Sequence, residues 1–245
     1  MKRELLEALN RARREKREAA LLRWLDGGTE ALVVEGETVF GPRPDGVLAE
    51  ALAAALRDDR CRLVETEDGP VFIEVFTPPL RLVVVGAVHI TQALLPIARV
   101  CGYRTIVIDP RRAFATAERF PDTEIVTDWP DEALEALALD RRTAVVTLTH
   151  DPKLDDPALA VALRSPAFYV GALGSRRTHA KRIPRLREMG FSPQEIGRIH
   201  APVGLDIGAV SPGEIAVSIL AEITSVLRRG GMRRERGDQP ATLGA

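Results

Sequence analysis

The spacing of apolar positions divides the chain into two stretches of different period. Leu5, Leu6, Leu9, Ala12, Ala19, Leu22 and Leu25 recur near the helical period, which predicts one helix over residues 4–25, stopped by Gly27-Gly28. Short strands are predicted around residues 31–35 and 38–40, turning at Glu35-Gly36, followed by a helix over 47–56. Residues 62–65 and 71–76 read as a hairpin joined through Glu67-Asp68-Gly69. Thr77-Pro78-Pro79 breaks regular structure, and the domain boundary is placed there.

From Arg81 the pattern changes. Residues 81–86, Arg-Leu-Val-Val-Val-Gly, are an apolar run of the kind buried on both faces of a parallel sheet. Predicted helices at 89–101, 133–139, 154–163, 177–189 and 215–227 alternate with predicted strands at 105–109, 124–127, 143–149 and 167–171. That alternation predicts an α/β fold: a Rossmann-like, doubly wound parallel sheet over residues 79–229, preceded by a smaller α+β domain over residues 1–78. Ser192-Pro193-Gln194-Glu195 and Ser211-Pro212-Gly213-Glu214 each supply a capping serine, a proline at the first helical position and a glutamate able to reach back. Residues 230–245 lack apolar periodicity and are predicted to form a disordered tail.

Composition narrows the function by exclusion. The chain is 45% hydrophobic and 28% charged, and its 34 basic residues nearly balance 35 acidic ones. No global charge therefore favours nucleic acid or an anionic membrane. No apolar run approaches the ~20 residues that span a bilayer. Met1-Lys2-Arg3-Glu4 leads into a charged stretch without the apolar core of a signal peptide, so a cytoplasmic location is expected. The two cysteines, Cys61 and Cys101, show no metal-ligand spacing.

Candidate chemistry gathers where the predicted strands end, the ligand side of such sheets. Gly86-Ala87-Val88-His89 opens the first strand-to-helix turn. It keeps only the first glycine of a G-x-G-x-x-G dinucleotide motif, and Val88 stands where the backbone should approach a pyrophosphate. Asp109 lies about 23 residues further on, the place of an acid that holds ribose hydroxyls. The turn chemistry of Asp-Pro-Arg-Arg accounts for it equally well. Gly171-Ala172-Leu173-Gly174-Ser175-Arg176-Arg177 leaves a strand and opens a basic helix. Its glycines turn N–H groups outward, Ser175 caps, and the helix start and two arginines favour an anion. The segment from His200 to Gly208 adds Gly204 and Asp206, and Asp206 suits either a ligand or its own loop. His89, His150, His179 and His200 all fall near these ends. Polar lining of a pocket is the expected role, and metal ligation stays open.

Three motifs carry a resemblance. Leu148-Thr149-His150-Asp151 (LTHD), residues 171–177 (GALGSRR) and residues 200–208 (HAPVGLDIG) occur in that order, followed by Ser211-Pro212-Gly213-Glu214-Ile215-Ala216. Together they resemble the XdhC/CoxI family over about residues 80–228. The resemblance implies a non-catalytic accessory role. Such a protein binds molybdenum cofactor (molybdopterin) and assists its insertion or sulfuration in a molybdenum hydroxylase of the xanthine or CO dehydrogenase type. The implied partners are the apo-enzyme, a sulfurtransferase and a second copy of the chain. By position, Gly171, Gly174, Ser175, Arg176, Arg177, His200, Gly204 and Asp206 inherit the pocket, and Gly86, His89, Asp109 and His150 join them as strand-end residues. The alternative is a nucleotide-dependent oxidoreductase or transferase holding NAD(P). The family usually reads Gly-Ala-Gly-His where this chain has Val88, and its Gly-Gly-Cys segment has no counterpart, because Cys61 sits in Asp59-Arg60-Cys61-Arg62.

Overall fold

The computed structural model describes residues 2–229, and the predicted tail at 230–245 lies outside them. The chain divides into two compact units, Met1–Pro79 and Leu80 onward.

The first unit runs α1 (Arg3–Arg14), β1 (Ala19–Trp24), β2 (Glu30–Val34), β3 (Glu37–Phe40), α2 (Gly46–Asp58), β4 (Arg62–Thr66) and β5 (Gly69–Phe76). Its strands form an antiparallel sheet ordered β3-β2-β1-β5-β4. The single helix predicted over residues 4–25 is corrected here: it ends at Arg14, and residues 19–24 are the central strand of the sheet. Four charged residues, Glu15 to Glu18, separate the two, and Lys16 takes a left-handed backbone with φ of 55°. The strand looked helical because both its faces are covered. Ala19 and Leu21 pack with Leu5, Leu9 and Ala12 of α1, while Ala20 and Leu22 pack with Leu48, Leu52 and Ala55 of α2. A strand buried on both sides shows no alternation.

The second unit runs β6 (Arg81–Val85), α3 (His89–Val100), β7 (Arg104–Ile108), β8 (Glu124–Val126), α4 (Pro130–Ala136), β9 (Thr143–Thr147), α5 (Pro152–Arg164), β10 (Tyr169–Ala172), α6 (Arg176–Glu188), α7 (Pro193–Ile196), β11 (Ile199–His200) and α8 (Pro212–Arg229). The strands are all parallel, in the order β11-β10-β9-β6-β7-β8. Counted from β6 as the first, this is the 3-2-1-4-5-6 order of dinucleotide-binding sheets, read from the other edge. The order reverses between β6 and β9.

Both faces of the sheet are covered. Leu82, Val84, Ala144 and Val146 pack under α3 and α8, and Val83, Val85 and Val145 pack under α4, α5 and α6. The helix α3 runs on through Pro96. Both Ser-Pro-x-Glu segments form reciprocal caps. Ser192 accepts from the Glu195 N–H while Glu195 accepts from the Ser192 N–H, and Ser211 and Glu214 do the same. The two-residue strand β11 was not predicted, being too short to show a period. Among the described residues no helix is long and apolar enough to cross a membrane.

Candidate functional site

In a sheet of this order a ligand sits beyond the carboxyl ends of the strands, at the point of reversal. Gly86 occupies that point at the end of β6, with φ of 117°. Its N–H donates to the Ile108 carbonyl at 2.8 Å. A Cβ added there would lie 2.9 Å from Thr149 Cγ2 and 3.2 Å from the Thr149 nitrogen, so only glycine lets the turns after β6 and β9 pass each other. Val88 precedes α3 in extended backbone and packs on the core beneath α3 and α8. His89 is exposed at the helix start.

Asp109, at the end of β7, shows the turn chemistry of Asp-Pro-Arg-Arg, since its side chain accepts from the N–H two residues on. It is fully buried, and both its oxygens are engaged. Oδ2 accepts from the Ala87 N–H at 2.8 Å and from Arg111 Nη2 at 2.7 Å; Oδ1 accepts from Arg111 Nε at 2.8 Å and the Arg111 N–H at 3.0 Å. Burial pushes this carboxyl up, but the Arg111 fork and the two N–H donors outweigh it and hold it below the usual carboxylate range.

The turn after β9 carries Thr149, His150 and Asp151. His150 is exposed, with φ of 62°. Asp151 caps α5 by accepting from the Lys153 N–H at 3.0 Å. Below it, Asp155 accepts from the Thr149 hydroxyl at 2.6 Å and faces Arg182 of α6 across 3.6 Å. Arg182 lies 3.6 Å from Asp156, which also takes the Arg185 fork at 2.5 and 3.2 Å. Asp155, Asp156 and Arg182 are all buried. Burial raises the Asp155 carboxyl above its ordinary value despite the Thr149 bond and the Arg182 charge. Since Arg182 Nη2 also reaches the Leu173 carbonyl at 3.4 Å, this cluster ties the turn after β9 to the turn after β10.

That second turn is the basic one. Gly174 has φ of 127°, and a Cβ there would meet Thr178 Cγ2 at 2.8 Å. The Ser175 hydroxyl accepts from the Thr178 N–H at 3.2 Å and caps α6. Arg176 and Arg177 form the first turn of α6, are exposed, and share it with no acid. Gly171 lies deeper. It is buried in β10, and a Cβ would approach Val203 Cγ2 at 2.7 Å and Tyr169 Cε1 at 2.8 Å, so it serves packing.

The segment from His200 onward is organised by a residue that sequence reasoning missed. Glu222 of α8 accepts from the Tyr169 hydroxyl at 2.7 Å and the Gly204 N–H at 2.8 Å, and lies 3.3 Å from His200 Nδ1. The His200 ring stacks on Tyr169, with centroids 4.6 Å apart. Burial pushes the Glu222 carboxyl up, but the bonds from His200, Tyr169 and Gly204 bring it below its ordinary value. Gly204 is pressed onto α8, where a Cβ would meet Ser218 Oγ at 2.4 Å. His200 also borders a cleft of about 390 Å³ lined by Phe168, Gln194, Arg198 and Val226. Asp206 is exposed on the loop that follows.

The candidate residues thus separate into two groups. Gly86, His89, Asp109, His150, Gly174, Ser175, Arg176 and Arg177 lie along the carboxyl edge of β6, β7, β9 and β10, whereas Gly171, His200 and Gly204 belong to the packing around Tyr169 and Glu222. Among the described residues no group of three His, Cys, Asp or Glu side chains is placed to hold a metal. Cys61 and Cys101 are exposed thiols.

A parallel sheet in dinucleotide-binding order, covered by helices on both faces, defines a Rossmann-type domain. The chain belongs to the XdhC family: residues 82–223 match the XdhC Rossmann domain. It is 35% identical over 151 residues to the molybdenum cofactor insertion chaperone PaoD of Escherichia coli (strain K12), covering 62% of this chain and 41% of PaoD. It is 33% identical over 159 residues to a probable xanthine dehydrogenase subunit of Bacillus subtilis (strain 168), covering 64% and 46%. Identity to protein YqeB of E. coli is 36% over 156 residues, covering 64% and 29%. The matches therefore span less than half the length of each of these relatives. A crystal structure of a xanthine dehydrogenase from Bacillus halodurans superposes with a TM-score of 0.69 at 26% identity, covering 93% of this chain and 67% of that one.

Proposed function

We propose that this chain binds molybdenum cofactor as cargo at the carboxyl edge of its parallel sheet and hands it to a molybdenum hydroxylase. The observation that carries the reading is the start of α6. Helix N-termini already bear partial positive charge, and cations there are unfavourable unless an anion is present. Yet Arg176 and Arg177 occupy that turn with no acid beside them. Ser175 takes the Thr178 N–H, leaving the N–H groups of Arg176 and Arg177 for an outside acceptor. The cargo is a pterin carrying a phosphate, and a phosphate suits this combination of helix start and forked donors.

The names of two relatives support the same reading, one a cofactor insertion chaperone and the other a probable subunit of xanthine dehydrogenase. His89 and His150, exposed along the same edge, are the side chains available to the polar rim of the ring system. A sulfurtransferase and a second copy of the chain complete the partners this role implies, and the handover belongs in the cytoplasm.

The test is transfer. Cofactor-loaded native chain is expected to restore turnover to an apo-hydroxylase faster than free cofactor does, and R176A/R177A is expected to lose that advantage. Equal activation by the native chain, the double variant and free cofactor would remove the accessory role.

A further inference from the structure

A carboxylate ending the second strand of this sheet type ordinarily receives the two hydroxyls of a nucleotide ribose. Asp109 holds that place in the sequence and in the fold. A vicinal diol needs carboxylate oxygens free to accept, and here both are filled by the chain's own donors. The guanidinium of Arg111 lies against the carboxylate in a fork, at 2.8 and 2.7 Å. Its carbon also sits 4.9 Å from the centre of the Phe114 ring. The carboxylate is fully buried, whereas the Arg111 side chain is 40% exposed. Arg111 can therefore be drawn into water, while Asp109 left behind has only the two N–H groups of Ala87 and Arg111 for its charge.

We propose that Arg111 is a specificity-determining latch, filling the ribose-diol site of Asp109 so that the crevice admits a phosphomonoester ligand and turns nucleotides away. Val88 acts in the same sense, since it places a Cβ where a glycine would let a pyrophosphate reach the backbone. The proposal rests on the strand-edge crevice being the ligand site. It narrows the cargo to the form of the cofactor without an appended nucleotide, and it disagrees with NAD(P) as an occupant.

The experiment uses nucleotides alone, with no pterin, so its outcome is separate from that of the cargo reading. ADP-ribose and NADH are titrated calorimetrically into the native chain, R111A, R111Q and R111A/D109N. R111Q keeps one amide donor near the buried carboxylate, and thermal unfolding shows which variants are folded, so R111Q decides if R111A is not. The native chain is expected to show no saturable binding. A folded Arg111 variant is expected to gain at least about tenfold in affinity, and D109N to abolish the gain. The proposal is overturned if the native chain binds ADP-ribose as tightly as the variants do, or if the folded variants gain nothing.

Discussion

A carboxylate on the apolar side of a helix persists only where donors surround it, and Glu222 has three: the Tyr169 hydroxyl, the Gly204 N–H and His200. Replacing it by alanine orphans two buried donors, at about 1–3 kcal/mol each. A fall in the unfolding free energy of E222A by that order, read from urea titrations, is the expected result. The pH dependence has a definite sign. The folded carboxyl is held below its ordinary value of 4.5, so its contribution is complete above that value and is lost as pH falls through the folded pKa. The stability gap between the native chain and E222Q should therefore close on acidification, measured as midpoints across a pH series. Gly86 gives a second residue-scale test. Alanine there combines φ of 117° with a contact at 3.2 Å to the Thr149 backbone nitrogen, and G86A should lose about 1–3 kcal/mol. Glu222 left a visible trace in the sequence, as the one charge within the apolar run from Ile219 to Ile223. Its partner Tyr169 did not, because it lies 53 residues away and only the fold brings it near.

Among the elements, the contrast between α1 and β1 shows where periodicity runs out. Residues 19–22 are apolar without a break, which fits a helix face as well as a strand covered on both sides. Pairing with β2 and β5 decides the matter. L21A and L22A should each cost about 2–5 kcal/mol, because the two side chains enter different cores. A helix through this segment would bury only one of them, so a small effect at either position contradicts the strand. The α5–α6 contact makes a second prediction. R182A strands Asp155 in the interior, while Asp156 keeps Arg185, and should cost about 3–5 kcal/mol. R185A, at a side chain 38% exposed, should cost less because water replaces it. Denaturant midpoints of the two variants provide the comparison. Nothing in the spacing of these four charges along the sequence says that two helices meet there.

For the whole molecule, the alternation of short apolar runs with helices was enough to foresee a parallel sheet, and the GALGSRR and HAPVGLDIG segments were enough to foresee the family. The strand order came from the structure, and it explains why residues far apart in sequence share one edge. It also divides the motifs: Gly174 to Arg177 stand at that edge, whereas His200 and Gly204 serve the packing around Glu222. The most direct test of the central claim is an equilibrium titration of the native chain and R176A/R177A with molybdenum cofactor freshly released from a donor enzyme. The account predicts micromolar or tighter binding to the native chain and a loss of at least about tenfold in the double variant. That variant should melt no lower than the native chain, since cations at a helix start are unfavourable by about 0.3–1 kcal/mol each. A native chain that does not bind the cofactor, or a folded double variant that binds it equally well, contradicts the account.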